Sequence, residues 1–428
     1  MEISHIHSLF LKCQSVSIDT RKIESQSLFV AIKGDNFDAN TFAAEALEKG
    51  ASFVLIDNED YYIDERTIIV NNSLIALQEL AKFHRNYLKL PIIALTGSNG
   101  KTTTKELIQV VLAKKYRTKA TVGNLNNHIG VPLTLLSFNA TTEIGIVEMG
   151  ANHKKEIEFL CELAQPNYGY ITNFGKAHLE GFGGVEGVIE GKSEMYQYLL
   201  KNNKTAFVNL EDPIQVERSK HLKTVSFGVN KLAAGVIIDE VTANPFVAIK
   251  YADTLIESHL IGLYNGNNLS AAITIGIHFN VPLPLIKEAL EGYIPVNNRS
   301  QLLSIGSNEI ILDAYNANPS SMAVAITNFL QLDKPHKILI LGDMFELGEA
   351  SQKEHSDLIT SLISENKVKC FFIGNAFYAN KVNQDHFNFY NSFESFSNDF
   401  KNHTIGNSTL LIKGSRGMAL ERTLDFIA

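Results

Sequence analysis

Short apolar runs recur along the whole chain, and stretches with a repeat near 3.6 residues separate them. Val16 to Ile18, Ser27 to Ile32, Phe53 to Ile56 and Thr67 to Val70 have the length and composition of strands, while Thr41 to Lys49 and Ser73 to Leu88 are patterned as helices. This predicts a small α/β domain over residues 1–89. A second series opens at Pro91, with strands Ile92 to Thr96, Ile144 to Met149, Gly169 to Asn173 and Thr205 to Asn209 separated by helical lengths. Such alternation predicts a mostly parallel, layered sheet over residues 90–295. After Tyr293-Ile294-Pro295 it restarts with Ile310 to Leu312, Lys337 to Leu341, Cys370 to Ile373 and Thr409 to Lys413, each followed by a helical stretch. The fold class is therefore α/β in three domains, the last, residues 296–428, being Rossmann-like. The polar segment from Asn383 to Asn398 breaks the pattern and reads as an irregular surface connection.

Composition narrows the setting. A chain of 428 residues exceeds one ordinary core, and 45% apolar with 20% charged residues fits a soluble globular protein. No segment approaches the ~20 apolar residues of a membrane helix. The start, Met1-Glu2-Ile3-Ser4-His5, lacks the basic and apolar regions of a signal peptide, and Cys13, Cys161 and Cys370 are widely spaced with no zinc pattern. A reducing cytoplasm is expected, with no membrane partner. The net charge of −8 argues against nucleic acid, so an anionic ligand must be held by local groups.

Such groups occur after the strand at Pro91. Thr96-Gly97-Ser98-Asn99-Gly100-Lys101-Thr102-Thr103-Thr104 leads from that strand into a helix-compatible stretch. The glycines let backbone N–H groups turn toward phosphate, the helix N-terminus adds positive charge, Lys101 can reach outer phosphates, and a threonine hydroxyl can hold Mg²⁺. The full G-x-x-x-x-G-K-[ST] spacing is absent, since Leu95 stands where its first glycine would fall. The loop is thus a shortened variant. Glu148 ends the strand Ile144 to Val147, where phosphate-loop proteins present a second metal ligand, although a solvated strand-end glutamate has the same sequence. His178, in Ala177-His178-Leu179-Glu180-Gly181-Phe182-Gly183, and Lys192, in a helical stretch, would by residue type alone be structural and solvated, respectively.

Together with Gly123-Asn124-Leu125-Asn126-Asn127-His128-Ile129-Gly130-Val131-Pro132 and Glu148-Met149-Gly150, these motifs resemble the Mur ligases of peptidoglycan synthesis in order and spacing, over nearly the whole chain. Asp313-Ala314-Tyr315-Asn316-Ala317-Asn318-Pro319, Leu341-Gly342-Asp343-Met344-Phe345-Glu346-Leu347-Gly348 and Lys413-Gly414-Ser415-Arg416-Gly417 are similar to the members that add D-alanyl-D-alanine. The D-N-P-R type tetrad of the diamino-acid-adding members is absent. Two departures stand out: Asp38-Ala39-Asn40 replaces a more usual Asp-Gly-His, and Ser193 replaces the glycine after Lys192.

The resemblance implies a monomer that uses ATP to phosphorylate the carboxylate of UDP-N-acetylmuramoyl-tripeptide, giving an acyl phosphate that D-alanyl-D-alanine attacks. It implies ATP contacts at Gly97, Ser98, Asn99, Gly100, Lys101, Thr102 and Thr103, with Asn268 near adenine, Asp343 near ribose and Arg299 near the phosphates. Thr102, Glu148, His178 and Lys192 would serve two Mg²⁺ sites, with Lys192 carbamylated by CO₂. Asp19, Thr20 and Arg21 would bind uridine diphosphate, Asn124, Asn126 and Asn127 the muramoyl substrate, and Asn316, Asn318 and Arg416 the dipeptide. Plainer readings stay open: caps or turns for Asn268, Asp343, Asp19 to Arg21 and the Asn-rich loop, and a surface ion pair for Arg299. A diamino-acid-adding ligase, a folylpolyglutamate synthase, a nucleotide kinase or GTPase, and a non-catalytic nucleotide-binding scaffold are the competing functions.

Overall fold

Ser15–Ser17, Ser27–Val30, Ala51–Ile56 and Thr67–Ile69 pair in that order as a fully parallel sheet. The computed structural model describes residues 2–296, 298–403 and 405–427. Ser27–Val30 is buried at every position, as a strand covered on both faces must be. The helix Ser73–Leu88 starts where the Asn72 side chain accepts from the N–H of Ile75 and stops at Lys89, which takes a left-handed conformation. Its buried face carries Ala76, Leu77, Leu80 and Ala81, joined by His84 and Arg85, which reach into the following unit.

The central sheet has seven parallel strands, in the order Val236–Ile238, Lys223–Val229, Thr205–Asn209, Tyr168–Ile171, Ile92–Thr96, Ile144–Glu148 and Thr118–Ala120. From Ile92–Thr96 the chain runs first to one side of the sheet and later to the other, so the strand order reverses there. A crevice at the carboxyl ends of the strands follows, and the phosphate loop leaves from its middle. An antiparallel sheet of Glu240–Ala243, Phe246–Tyr251 and Thr254–Ile261 buries Val247, Ile249, Ile256 and Leu260 in one cluster with Leu107 and Ile108 of the helix Lys101–Leu112.

The third sheet runs Gln301–Ile305, Asn308–Asp313, Thr409–Lys413, Lys337–Gly342, Lys369–Ile373 and Phe387–Tyr390, parallel except for its first, antiparallel edge strand. One expectation is overturned here. The segment from Asn383 to Asn398 is not irregular, for it supplies the strand Phe387–Tyr390 and most of the helix Phe393–Phe400. Its polar residues are the reason for the misreading. Ser392 and Ser395 form a reciprocal capping box, while Phe393, Phe396 and Phe400 enter the core. Among the described residues no helix is long and apolar enough to cross a membrane.

Candidate active site

A cavity of about 1050 Å³ opens where the central crevice faces the third sheet, lined by the phosphate loop, the Asn124 to His128 loop and the Tyr315 to Ser321 segment. The loop's shape is forced from behind. Gly97 has φ +145°, and a Cβ there would stand 1.9 Å from Thr172 Oγ1. Gly100, at φ +76°, caps the helix Lys101–Leu112, and a Cβ there would meet Asn268 Oδ1 at 2.8 Å. Thr172 Oγ1 and Asn173 Nδ2 both donate to the carbonyl of Asn99, at 2.6 and 3.0 Å, and Asn173 Oδ1 accepts the Asn99 N–H at 3.0 Å. The adjacent strand end thus fixes the loop tip. Thr172 and Asn173 were missed as functional residues because the predicted strand Gly169 to Asn173 took them in, whereas the strand ends at Ile171 and they follow it.

Lys101 folds over this loop, donating from Nζ to the Gly97 carbonyl at 2.7 Å. Burial pushes its ammonium below the ordinary lysine range, with Arg299 adding repulsion and Glu148 opposing it. Glu148 is 2% exposed, and its two oxygens accept from Thr102 Oγ1 at 2.9 Å and Asn126 Nδ2 at 2.8 Å. Thr121 Oγ1 accepts the Glu148 N–H at 2.9 Å, pinning the strand end.

His178 lines the cavity in a left-handed conformation, its Nδ1 against the Glu346 carboxylate of the third unit. Burial pushes its imidazole below the usual histidine range; Glu346 opposes this, while Lys101 and Lys192 reinforce it. Lys192 is fully buried on the helix Val185–Lys201, with Nζ 3.4 Å from the Ala151 carbonyl and 5.0 Å from the Phe182 ring centroid. Burial, then the charge of Lys101, drives its ammonium well below the lysine range. No group of three His, Cys, Asp or Glu among the described residues could by itself hold a metal.

The third unit contributes across the junction. Asn318 Nδ2 donates to Asn99 Oδ1 at 2.7 Å, and Asn99 Nδ2 donates to Ser320 Oγ at 3.0 Å, so the loop tip is gripped by the start of the helix Pro319–Gln331. Arg299 faces the cavity with its guanidinium 3.6 Å from the Tyr315 ring centroid. Asn316 and Arg416 lie on the same wall, with Arg416 also paired to Glu421.

Three family models match the chain: the Mur ligase family catalytic domain over residues 12–85, the Mur ligase middle domain over 95–276 and the Mur ligase glutamate ligase domain over 298–416. A UDP-N-acetylmuramoyl-tripeptide–D-alanyl-D-alanine ligase of Bacillus subtilis is 35% identical over 417 residues, covering 95% of this chain and 91% of that protein. The chain belongs to the Mur ligase family. A ligase of the same name from Buchnera aphidicola is 35% identical, covering 97% of this chain and 92% of its own. Among solved structures, a MurF from Acinetobacter baumannii superposes with a TM-score of 0.84 at 30% identity, covering 96% of this chain and 92% of that one. A MurF ligase from Thermotoga maritima in complex with ADP gives 0.83 at 25% identity, with 97% of both chains covered.

Within this Mur ligase, several residues named from sequence have partners inside the chain. Asp343 does not line the cavity. Its oxygens accept the N–H groups of Ala376 and Phe377 at 2.9 Å each, at the start of the helix Asn375–Ala379. Asp19 caps the short helical turn Thr20–Lys22 and pairs with Arg21 through both oxygens, at 2.9 and 2.8 Å, at the rim of the first sheet and away from the cavity. Asn40, of the divergent Asp38-Ala39-Asn40, is fully buried. It donates to Asp38 and Asp57 and accepts the Asp57 N–H, bracing the first sheet from within. Asn268 sits under Gly100, accepting from Thr104 Oγ1 and donating to Asn265. Asn124, Asn126 and Asn127 line the cavity, Asn127 also accepting the N–H groups of Ile129 and Gly130.

Proposed function

We propose that this Mur ligase is an ATP-dependent amide-forming enzyme that joins D-alanyl-D-alanine to the terminal carboxylate of UDP-N-acetylmuramoyl-tripeptide, acting in the cytoplasm as a monomer. One observation carries the reading. Lys101, Glu148 and Arg299 converge on one cavity, in a chain matching D-alanyl-D-alanine ligases over nearly its full length.

The difficulty of the reaction is electrostatic, because a carboxylate must approach a triphosphate. A carboxylate oxygen attacks the γ-phosphorus and ADP departs; the dipeptide amine then attacks the acyl carbon, loses a proton and expels phosphate. Phosphate charge would be met by the N–H groups of Gly97 to Thr103, by Lys101, and by Arg299 from the third unit. The side-chain amide of Asn126, beside Glu148, would orient the muramoyl substrate, and Asn316, Asn318 and Arg416 the incoming dipeptide. No side-chain nucleophile is needed.

Thr102 Oγ1 and the Glu148 carboxylate, 2.9 Å apart, form an oxygen donor set of the kind Mg²⁺ takes. Bound there, the ion would offset phosphate charge. A second site at His178 depends on Lys192. As an ammonium, Lys192 would repel a cation by about 4 kcal/mol per unit charge at ~4 Å and an effective dielectric near 20. As a carbamate it would attract one. Its fully buried position favours the uncharged amine, the form that reacts with CO₂.

The deciding experiment is ADP release with UDP-N-acetylmuramoyl-tripeptide and, in turn, D-alanyl-D-alanine, D-alanine and a diamino acid. Turnover with the dipeptide is expected. Turnover only with the diamino acid would overturn the assignment, and none with any acceptor would indicate a nucleotide-binding scaffold.

A further inference from the structure

Asn99, Asn318 and Ser320 form a closed ring of hydrogen bonds across the junction of the central and third units. Asn318 Nδ2 donates to Asn99 Oδ1 at 2.7 Å, Asn99 Nδ2 donates to Ser320 Oγ at 3.0 Å, and Ser320 Oγ donates to Asn318 Oδ1 at 2.8 Å. One backbone group sets every direction in it. The N–H of Ser321 can only donate, so the Asn318 atom it meets at 2.9 Å is the oxygen. The Asn318 nitrogen then faces Asn99, the Asn99 nitrogen faces Ser320, and the hydroxyl proton of Ser320 returns to Asn318. Each side chain donates once and accepts once, an arrangement in which hydrogen bonds polarise and strengthen one another.

The ring joins two rigid supports. On one side, Asn318 caps the helix Pro319–Gln331 and is 8% exposed. On the other, the backbone of Asn99 is tied to Thr172 and Asn173, one residue before the glycine that caps the helix Lys101–Leu112. The side chain of Asn99 is thus a direct link from the phosphate loop to the third unit. Gly175 backs this link closely: a Cβ there would stand 2.5 Å from Ser320 Oγ and 2.9 Å from Asn99 Nδ2.

We propose that Asn99 is a positioning residue whose amide holds the tip of the phosphate loop to the third domain, so that nucleotide affinity and docking of that domain are coupled through this ring. Docking fixes the tip in advance and lowers the ordering cost of taking up nucleotide. Bound nucleotide must favour docking by the same factor, because such coupling is reciprocal. The inference rests on the reading of the loop as a nucleotide site.

The test is the affinity of the full chain for a non-hydrolysable ATP analogue, measured by titration calorimetry. Asn99→Ala and Ser320→Ala are each expected to weaken binding by about 5–10-fold, and the double variant by little more than either alone, since both open one ring. Gly175→Ala removes no polar group and is expected to weaken binding similarly by wedging the ring apart; in the Ser320→Ala background, where the nearest atom is gone, its effect shrinks. A purely structural role would lower the melting temperature of these variants and leave the affinity of the folded chain in place. Unchanged affinity in Ser320→Ala, or losses in Asn99→Ala and Ser320→Ala that simply multiply, would overturn the coupling. Absence of binding by the unaltered chain would instead overturn the nucleotide reading of the loop, and this inference with it.

Discussion

The hydroxyl of Thr102 donates to the carboxylate of Glu148 at 2.9 Å, so the residue after the loop lysine meets the residue ending the neighbouring strand. The contact places two oxygen donors together at a site that is 2% exposed on the Glu148 side and 6% on the Thr102 side. Glu148→Gln keeps the size and the Asn126 neighbour but loses the charge. It is expected to lower kcat by about 10²-fold or more while leaving the melting temperature within about 2 °C, and an unimpaired kcat at limiting Mg²⁺ would refute the role.

Lys101 Nζ donates to the carbonyls of Gly97 and Ser98, at 2.7 and 3.4 Å, so it is held over the loop that would take the phosphates. Lys101→Ala is expected to lower kcat/KM for ATP by about 10²–10³-fold, read by ADP release at saturating tripeptide substrate.

For Lys192, the direction of its shift sets a pH dependence. Its folded-state ammonium is less stable than usual, so the neutral amine persists to lower pH than for a surface lysine; as pH falls through the depressed value, the ammonium returns and cannot carry CO₂. Enzyme stripped of CO₂ at mildly acidic pH is expected to be inactive and to recover on adding bicarbonate at neutral pH. Full activity without CO₂, or a plain amine at Lys192 in active enzyme by intact-site mass measurement, would exclude the carbamate.

Gly97 gives a backbone prediction. With φ +145° and Thr172 Oγ1 in the path of a side chain, Gly97→Ala is expected to cost about 1–3 kcal/mol and to displace the loop. Urea denaturation together with ADP affinity reads both effects, and a variant retaining both would show that the loop tolerates a Cβ.

His7 and His84 supply a stability prediction. The Phe138 carbonyl can only accept, so His84 Nε2 carries the proton and its Nδ1 accepts from His7 Nε2 at 3.0 Å. Burial holds both imidazoles below the usual range, and His84 depresses His7 further. The unfolded chain therefore binds more protons than the folded one. Stability is present above about pH 6.5 and is lost as pH falls toward the lower folded values, by at most about 1.4 kcal/mol per pH unit for each histidine. Melting temperatures from pH 8 to 5 should show a shallower slope in His84→Gln.

Strand ends and the loops beyond them were legible from sequence, because a buried parallel strand is an apolar run and its first polar residue faces the crevice. Ile92–Thr96 with Lys101, and Ile144–Glu148 with its terminal carboxylate, follow that rule. Contacts between units did not follow from local pattern. Asn99 and Asn318 lie 219 positions apart, and nothing near either announces the other. For Asp343 the sequence left a cap and a ligand contact open, because both demand the same residue type, and the structure supplies the cap through the N–H groups of Ala376 and Phe377. The antiparallel strands between Glu240 and Ile261 were overlooked for a related reason: their half-buried alternation is weaker than the solid apolar runs of the parallel strands.

Arg85 bears on what can be cut from this chain. Its guanidinium donates to the carbonyls of Ala164 and Gln165 and to Asn167 Oδ1, at 2.9 to 3.0 Å, while Ile6, Phe10 and Leu80 share one apolar cluster with Leu135, Phe138 and Leu160. A fragment ending near residue 89 would therefore bare an apolar surface and strand a nearly buried cation without acceptors. The first sheet is a module in topology, but its apolar core is shared with the central unit, so the two stand as one body.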